Sequence, residues 1–166
     1  MFQPAPAQAT TLEQEATGTI RELQGQASAL ANQADQLRIA ISDNESSWDS
    51  QLWQLDTLKS DINAMGRELQ TLQTERDSLT SLRREAIERA QLLLKDVATN
   101  TNEAIDYFKG NRGHLWTPEY RGYVSDIRKD SEQLSHDLEI DVNLAKVRDR
   151  EQRLAAAEGA MTGSGQ

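Results

Sequence analysis

Apolar and polar residues alternate along this chain with the period of a helix. Apolar side chains recur at Ala16, Ile20, Leu23, Ala27, Leu30, Ala34, Leu37 and Ile41, in steps of four and three. Such steps draw one seam along one helical face, as in a coiled coil. They predict a helix over about 11–42, with Thr10 and Glu13 as a capping box at its start. Gln24, Gln26, Asn32, Gln33 and Gln36 fall off that seam. Gly18 and Gly25 each weaken the helix by ~1 kcal/mol relative to alanine, so packing has to hold its first turns.

Asp43 to Ser47 is a polar turn, with Ser46 or Ser47 as the next N-cap. The second seam reads Leu55, Leu58, Ile62, Met65, Leu69, Leu72, Arg76, Leu79, Arg83, Ala86, Ala90, Leu93 and Val97. Only two arginines interrupt it, so it predicts one helix over about 47–109, continuous through the poor helix formers Thr99 to Asn102. Leu82, Ile87 and Leu94 widen the stripe in its second half, which suits packing against two neighbours. Gly110-Asn111-Arg112-Gly113 is a stop, with Gly110 suited to a left-handed C-cap. Thr117-Pro118-Glu119 is a start, and a third helix is predicted over about 117–157. It carries Tyr120, Val124, Ile127, Leu134 and Leu138, then drifts in phase through Ile140, Leu144, Val147 and Leu154.

Two short turns joining three helices predict an all-α fold, an elongated antiparallel three-helix coiled-coil bundle with a long central helix of ~90 Å. Residues 10–158 form this domain, flanked by a disordered leader at 1–9 and a disordered tail at 159–166. Arg76 and Arg83 sit in the seam as its polar register positions. Either their stems lie along the groove with the charged heads in water, or they pair with acids of another helix and set the register.

Composition narrows the function. Apolar residues make up 37% of the 166 and charged residues 27%, too little apolar material for a thick globular core and too much for a disordered chain. The net charge of -9 is spread over all three thirds, so no basic stripe offers a footprint for nucleic acid or for an anionic lipid surface. No apolar run approaches the ~20 residues that span a bilayer, and no membrane insertion is expected. Pro4-Ala5-Pro6-Ala7-Gln8-Ala9 reads either as a flexible leader or as the end of a trimmed secretory signal. The location expected is therefore cytoplasmic or, after signal removal, periplasmic or secreted.

Reactive chemistry is sparse. Cysteine is absent, which removes disulfides, thiolate metal sites and cysteine nucleophiles. His136, flanked by Glu132 and Glu139 at helical spacing, lacks the second inward Glu-x-x-His motif of a di-metal bundle. Ser135-His136-Asp137 holds three triad residue types, but consecutive helical side chains diverge and form no relay. No enzyme activity, metal or cofactor is expected. Aromatics gather at the turns. Trp48 and Trp53 sit by the first, and Tyr107, Phe108, Arg112, His114, Trp116, Tyr120 and Tyr123 surround the second. They read either as staples that close the helix ends or as a protein-binding tip made of Tyr107, Phe108, Arg112, His114, Trp116 and Tyr120. The expected role is a non-enzymatic interaction protein (spacer, adaptor or assembly subunit) with a protein partner, homo-oligomeric. The alternative is an exported helical module that binds a ligand or client, sensor-like or chaperone-like.

Overall fold

The structure, a computed structural model, describes residues 6–43, 47–112 and 117–162. Those residues form four α-helices and no strand: α1 (Pro6–Asp43), α2 (Trp48–Thr74), α3 (Ser81–Gly110) and α4 (Pro118–Thr162), with a short 3-10 turn at Arg76–Ser78. At 1.5 Å per residue, α2 and α3 are about 40 and 45 Å long, α1 about 57 Å and α4 about 68 Å.

Each helix runs antiparallel to the next, and α4 returns beside α1 to close the bundle. Hydrogen bonds fix the pairing. Gln26 and Gln33 of α1 donate to Glu68 and Asp61 of α2, Asn100 of α3 donates to Asp130 of α4, and Gln24 of α1 donates to Ser135 of α4. The broadest interface lies between α1 and α4. The first seam is buried along its whole length, from Ala16 to Ile41, and small residues at 27, 31 and 34 let neighbouring backbones approach.

The central helix is where the predicted three-helix rod needs correction. Instead of one helix over 47–109 there are two, folded back on each other between Glu75 and Thr80. Thr74, Asp77, Ser78, Thr80 and Ser81 compete with the helix for backbone hydrogen bonds, and Thr74 Oγ1 donates to the carbonyl of Thr71 at 2.7 Å. Leu79 and Thr80 are extended, with ψ of 159° and 154°. The heptad runs through the break because Leu72 and Leu79 both stay buried, one on each side of the turn. Thr99 to Asn102, the weaker-looking segment, remain helical, and Thr101 is buried with its hydroxyl on the carbonyl of Val97. The bundle is therefore shorter and thicker than a staggered rod.

Capping follows the sequence in part. Ser47 caps α2, its hydroxyl accepting from Ser50 N–H at 3.2 Å, and Thr117 Oγ1 accepts from Tyr120 N–H at 3.4 Å at the start of α4. α1 starts at Pro6, before the predicted start at 11, and Thr10 lies inside it. Gly110 ends α3 without a left-handed conformation; Asn111 follows at φ -128°, its N–H bonded to the carbonyl of Tyr107. At the other end α4 continues to Thr162, past the predicted 157.

Candidate functional site

The two bundle ends are built from opposite chemistry. At the end where α2 and α4 begin, aromatic rings close the core. Trp48 lies 5.1 Å from Phe108, Phe108 lies 5.8 Å from Tyr120, and Tyr107 stacks on Tyr120 at 6.2 Å. Arg112 covers the Trp48 ring at 4.7 Å, a cation–π contact. Phe108 and Tyr120 are fully buried, Tyr107 is half-buried and Arg112 is exposed. Burial pushes the Tyr120 phenol well above its usual range, and its hydroxyl finds no hydrogen-bond partner among the described residues. Of the predicted tip, then, only Arg112 and part of Tyr107 face outward; His114 and Trp116 lie outside the described residues.

At the opposite end the core turns polar. Arg83, at the start of α3, is 2% exposed. Its Nη1 pairs with Asp141 of α4, its Nη2 donates to Thr17 Oγ1 of α1 at 2.7 Å, and its Nε lies 3.5 Å from the Glu13 carboxylate of α1. Burial lowers the Arg83 pKa and Glu13 counteracts that, so the guanidinium keeps its charge through its partners. Glu13 does a second job. Its Oε1 accepts the Thr80 N–H at 2.6 Å, satisfying an orphan donor at the head of α3, where Thr80 makes no side-chain cap. Arg76, the other polar seam residue, is on the 3-10 turn and half open to solvent, with Glu88 at 3.5 Å and Asp77 at 3.7 Å.

Arg83 stands out in the sequence as a charged seam position, but neither acid that holds it does. Asp141 was legible in one respect: it lies seven residues after Leu134, on the inward face of α4. Glu13 carried no such signal, because its partner is 70 residues away across the bundle.

Past this network α2 and α3 have ended, and α1 and α4 continue as a pair of arms. Between them is a cavity of about 190 Å³ whose lining includes Glu13, Thr17, Arg83, Arg148, Asp149 and Gln152. A surface groove between α2 and α3, of about 760 Å³, has Ile62, Gly66, Leu69 and Leu94 along it, with Arg67 and Lys95 beside them. The outer face of the α4 arm is different again: Ile140, Leu144, Val147, Leu154 and Met161 are 44–82% exposed. Their spacing repeats the heptad on the side of α4 away from the core.

The remaining candidates do not converge. Ser135 turns toward Gln24 of α1, whereas His136 is exposed. No group of three or more potential metal ligands occurs among the described residues. Nor is any helix there long and apolar enough to cross a membrane.

An all-helical bundle with one aromatic end and one charged end is what the fold defines. No protein family, curated protein or solved structure matches the chain.

Proposed function

We propose that the protein is a non-enzymatic helical interaction protein, a spacer, adaptor or assembly subunit, that self-associates or docks on a protein partner through the outer face of α4. Its helices carry coiled-coil seams, and the observation behind the proposal is a heptad of apolar side chains left in water. Ile140, Leu144, Val147 and Leu154 are about half exposed, on the side of α4 away from the inner seam that is buried from Tyr120 to Ala145. A contiguous apolar stripe in water is a common mark of an interface. Coiled-coil pairing is the way such a stripe is usually covered. Light scattering on a sizing column tests it. The wild-type chain is expected to run as a multimer, alone or with a helical partner, and L144E/V147E/L154E as a monomer with unchanged helicity. A wild-type monomer that binds no helical partner overturns the proposal.

The cavity between the arms favours a second reading, that of a helical ligand-binding module. A thermal-shift screen of small polar compounds tests this reading, which expects stabilisation by at least one of them.

A further inference from the structure

The inner face of α4 changes chemistry at one point. Tyr120, Val124, Ile127, Leu134, Leu138, Val142 and Ala145 step along the core in threes, fours and one seven. The next steps of four and three land on Asp149 and Gln152. Both line the cavity, where leucines would have zipped the two arms shut. The apolar residues of this stretch have moved to the opposite face. α1 does the same in reverse order: below Ala16 and Thr17 its inward side chain is Glu13.

The result is a small enclosure with both signs of charge. Arg83 and Arg148 supply two guanidinium groups, and Glu13 and Asp149 two carboxylates. Arg83 is 2% exposed, and its Nε faces the Glu13 carboxylate at 3.5 Å, too long for a good hydrogen bond. Burying Arg83 and Asp141 beside this space is costly relative to a packed apolar end, and the other end of the same bundle shows the apolar solution. A volume of about 190 Å³ falls below the ~300 Å³ of sites for drug-sized molecules, so the occupant is small.

We infer that the space between the α1 and α4 arms binds a small zwitterion, an α-amino acid or a compound with the same pair of charges. Its carboxylate is met by Arg148 and its ammonium by Asp149, with the Arg83–Glu13 ion pair forming the floor behind them. A simple anion leaves the two carboxylates facing it, and a simple cation leaves Arg148 facing it. A zwitterion satisfies both. Arg83 is already engaged at Nη1 and Nη2, so Arg148, half-buried and on the rim, is the group that adapts to the ligand. This inference rests on the ligand-binding reading and is independent of any docking by the outer face of α4.

Calorimetry and thermal shift on the full chain test it, with glycine, serine and aspartate as probes and with acetate and methylammonium as single-charge controls. At least one amino acid is expected to bind one per chain and raise the melting temperature, with the controls silent. R148Q and D149N are each expected to weaken that binding about tenfold or more, the effect of losing one charged hydrogen bond. Both side chains lie outside the apolar core, so circular dichroism should show the fold retained. R67E, in the distant α2–α3 groove, is expected to bind as the wild type does. If acetate or methylammonium binds as well as the amino acids, or if R148Q and D149N bind normally, the zwitterion inference falls and the ligand-binding reading stands. If none of the probes and no compound of the broader screen binds, both fall.

Discussion

Arg83 of α3 and Asp141 of α4 form a salt bridge in which the side chains are 2% and 9% exposed, at the one end of the bundle where the core is charged. Removing one member of such a pair strands the other. R83A leaves the buried Asp141 and the half-buried Glu13 without their cation, a loss of about 3–5 kcal/mol. R83L/D141L removes both charges and is expected to recover most of that loss. Urea denaturation of the single and double variants measures the difference, and equal stability of the two would show that the pair is not coupled.

Tyr120 predicts the opposite sign. Its hydroxyl is buried without a partner among the described residues, while its ring packs on Phe108 and Tyr107. Y120F keeps the rings and deletes the unsatisfied group, so it is expected to be neutral or stabilising by about 1 kcal/mol. Y120A is expected to destabilise by about 3–5 kcal/mol through the cavity it opens. Thermal melts of the two separate the ring from the hydroxyl.

Ser131 repeats the argument in the α4 seam. It is fully buried between Ile127 and Leu134, and its Oγ has no partner among the described residues. S131A is expected to raise the melting temperature, and a clear fall would reveal a hydrogen bond to this hydroxyl.

Asp130 gives a pH dependence. Burial raises its pKa above the ordinary 3.8; the hydrogen bond from Asn100 opposes the rise, and Asp96 and Asp126 add to it. The folded state therefore holds this proton more tightly than the unfolded state. Its contribution is fully present below the unfolded pKa and is lost as pH rises through the folded one. D130N, which can still accept from Asn100, is expected to match the wild type near pH 3 and to be more stable at pH 7. A pH series of melts checks this, and a constant gap between the two proteins overturns it.

Gly18 and Gly25 are helical in α1, and a Cβ at either meets nothing within 4 Å. G18A and G25A are each expected to stabilise by about 0.5–1 kcal/mol through helix propensity and a less flexible unfolded chain. Chemical denaturation midpoints test both.

The sequence shows the inside of this bundle better than its outline. Every residue of the first seam is buried, because a strict four–three spacing has only one face to offer. The same regularity hid the turn at Glu75–Thr80. A hairpin that reverses with Leu72 and Leu79 both inward leaves the heptad count unbroken, so period alone cannot tell one long helix from two short ones. The cluster of Thr, Asp and Ser from 74 to 81 was the local sign of the break, and the seam spacing outweighed it. Gln24, Gln26 and Gln33 looked like surface residues off the seam, yet each bonds to a neighbouring helix. Glu13 was beyond reach, because an acid that caps another helix resembles one that caps its own.

Gln24 meets Ser135 across 111 positions of chain. The other neighbouring helices are joined by short turns, so their hairpins zip locally and quickly, whereas the α1–α4 contact waits for α4 itself. During synthesis, the side of α1 destined for α4 stays wet until α4 leaves the ribosome. Variants that slow the emergence or docking of α4 are therefore the ones that expose nascent chains to aggregation.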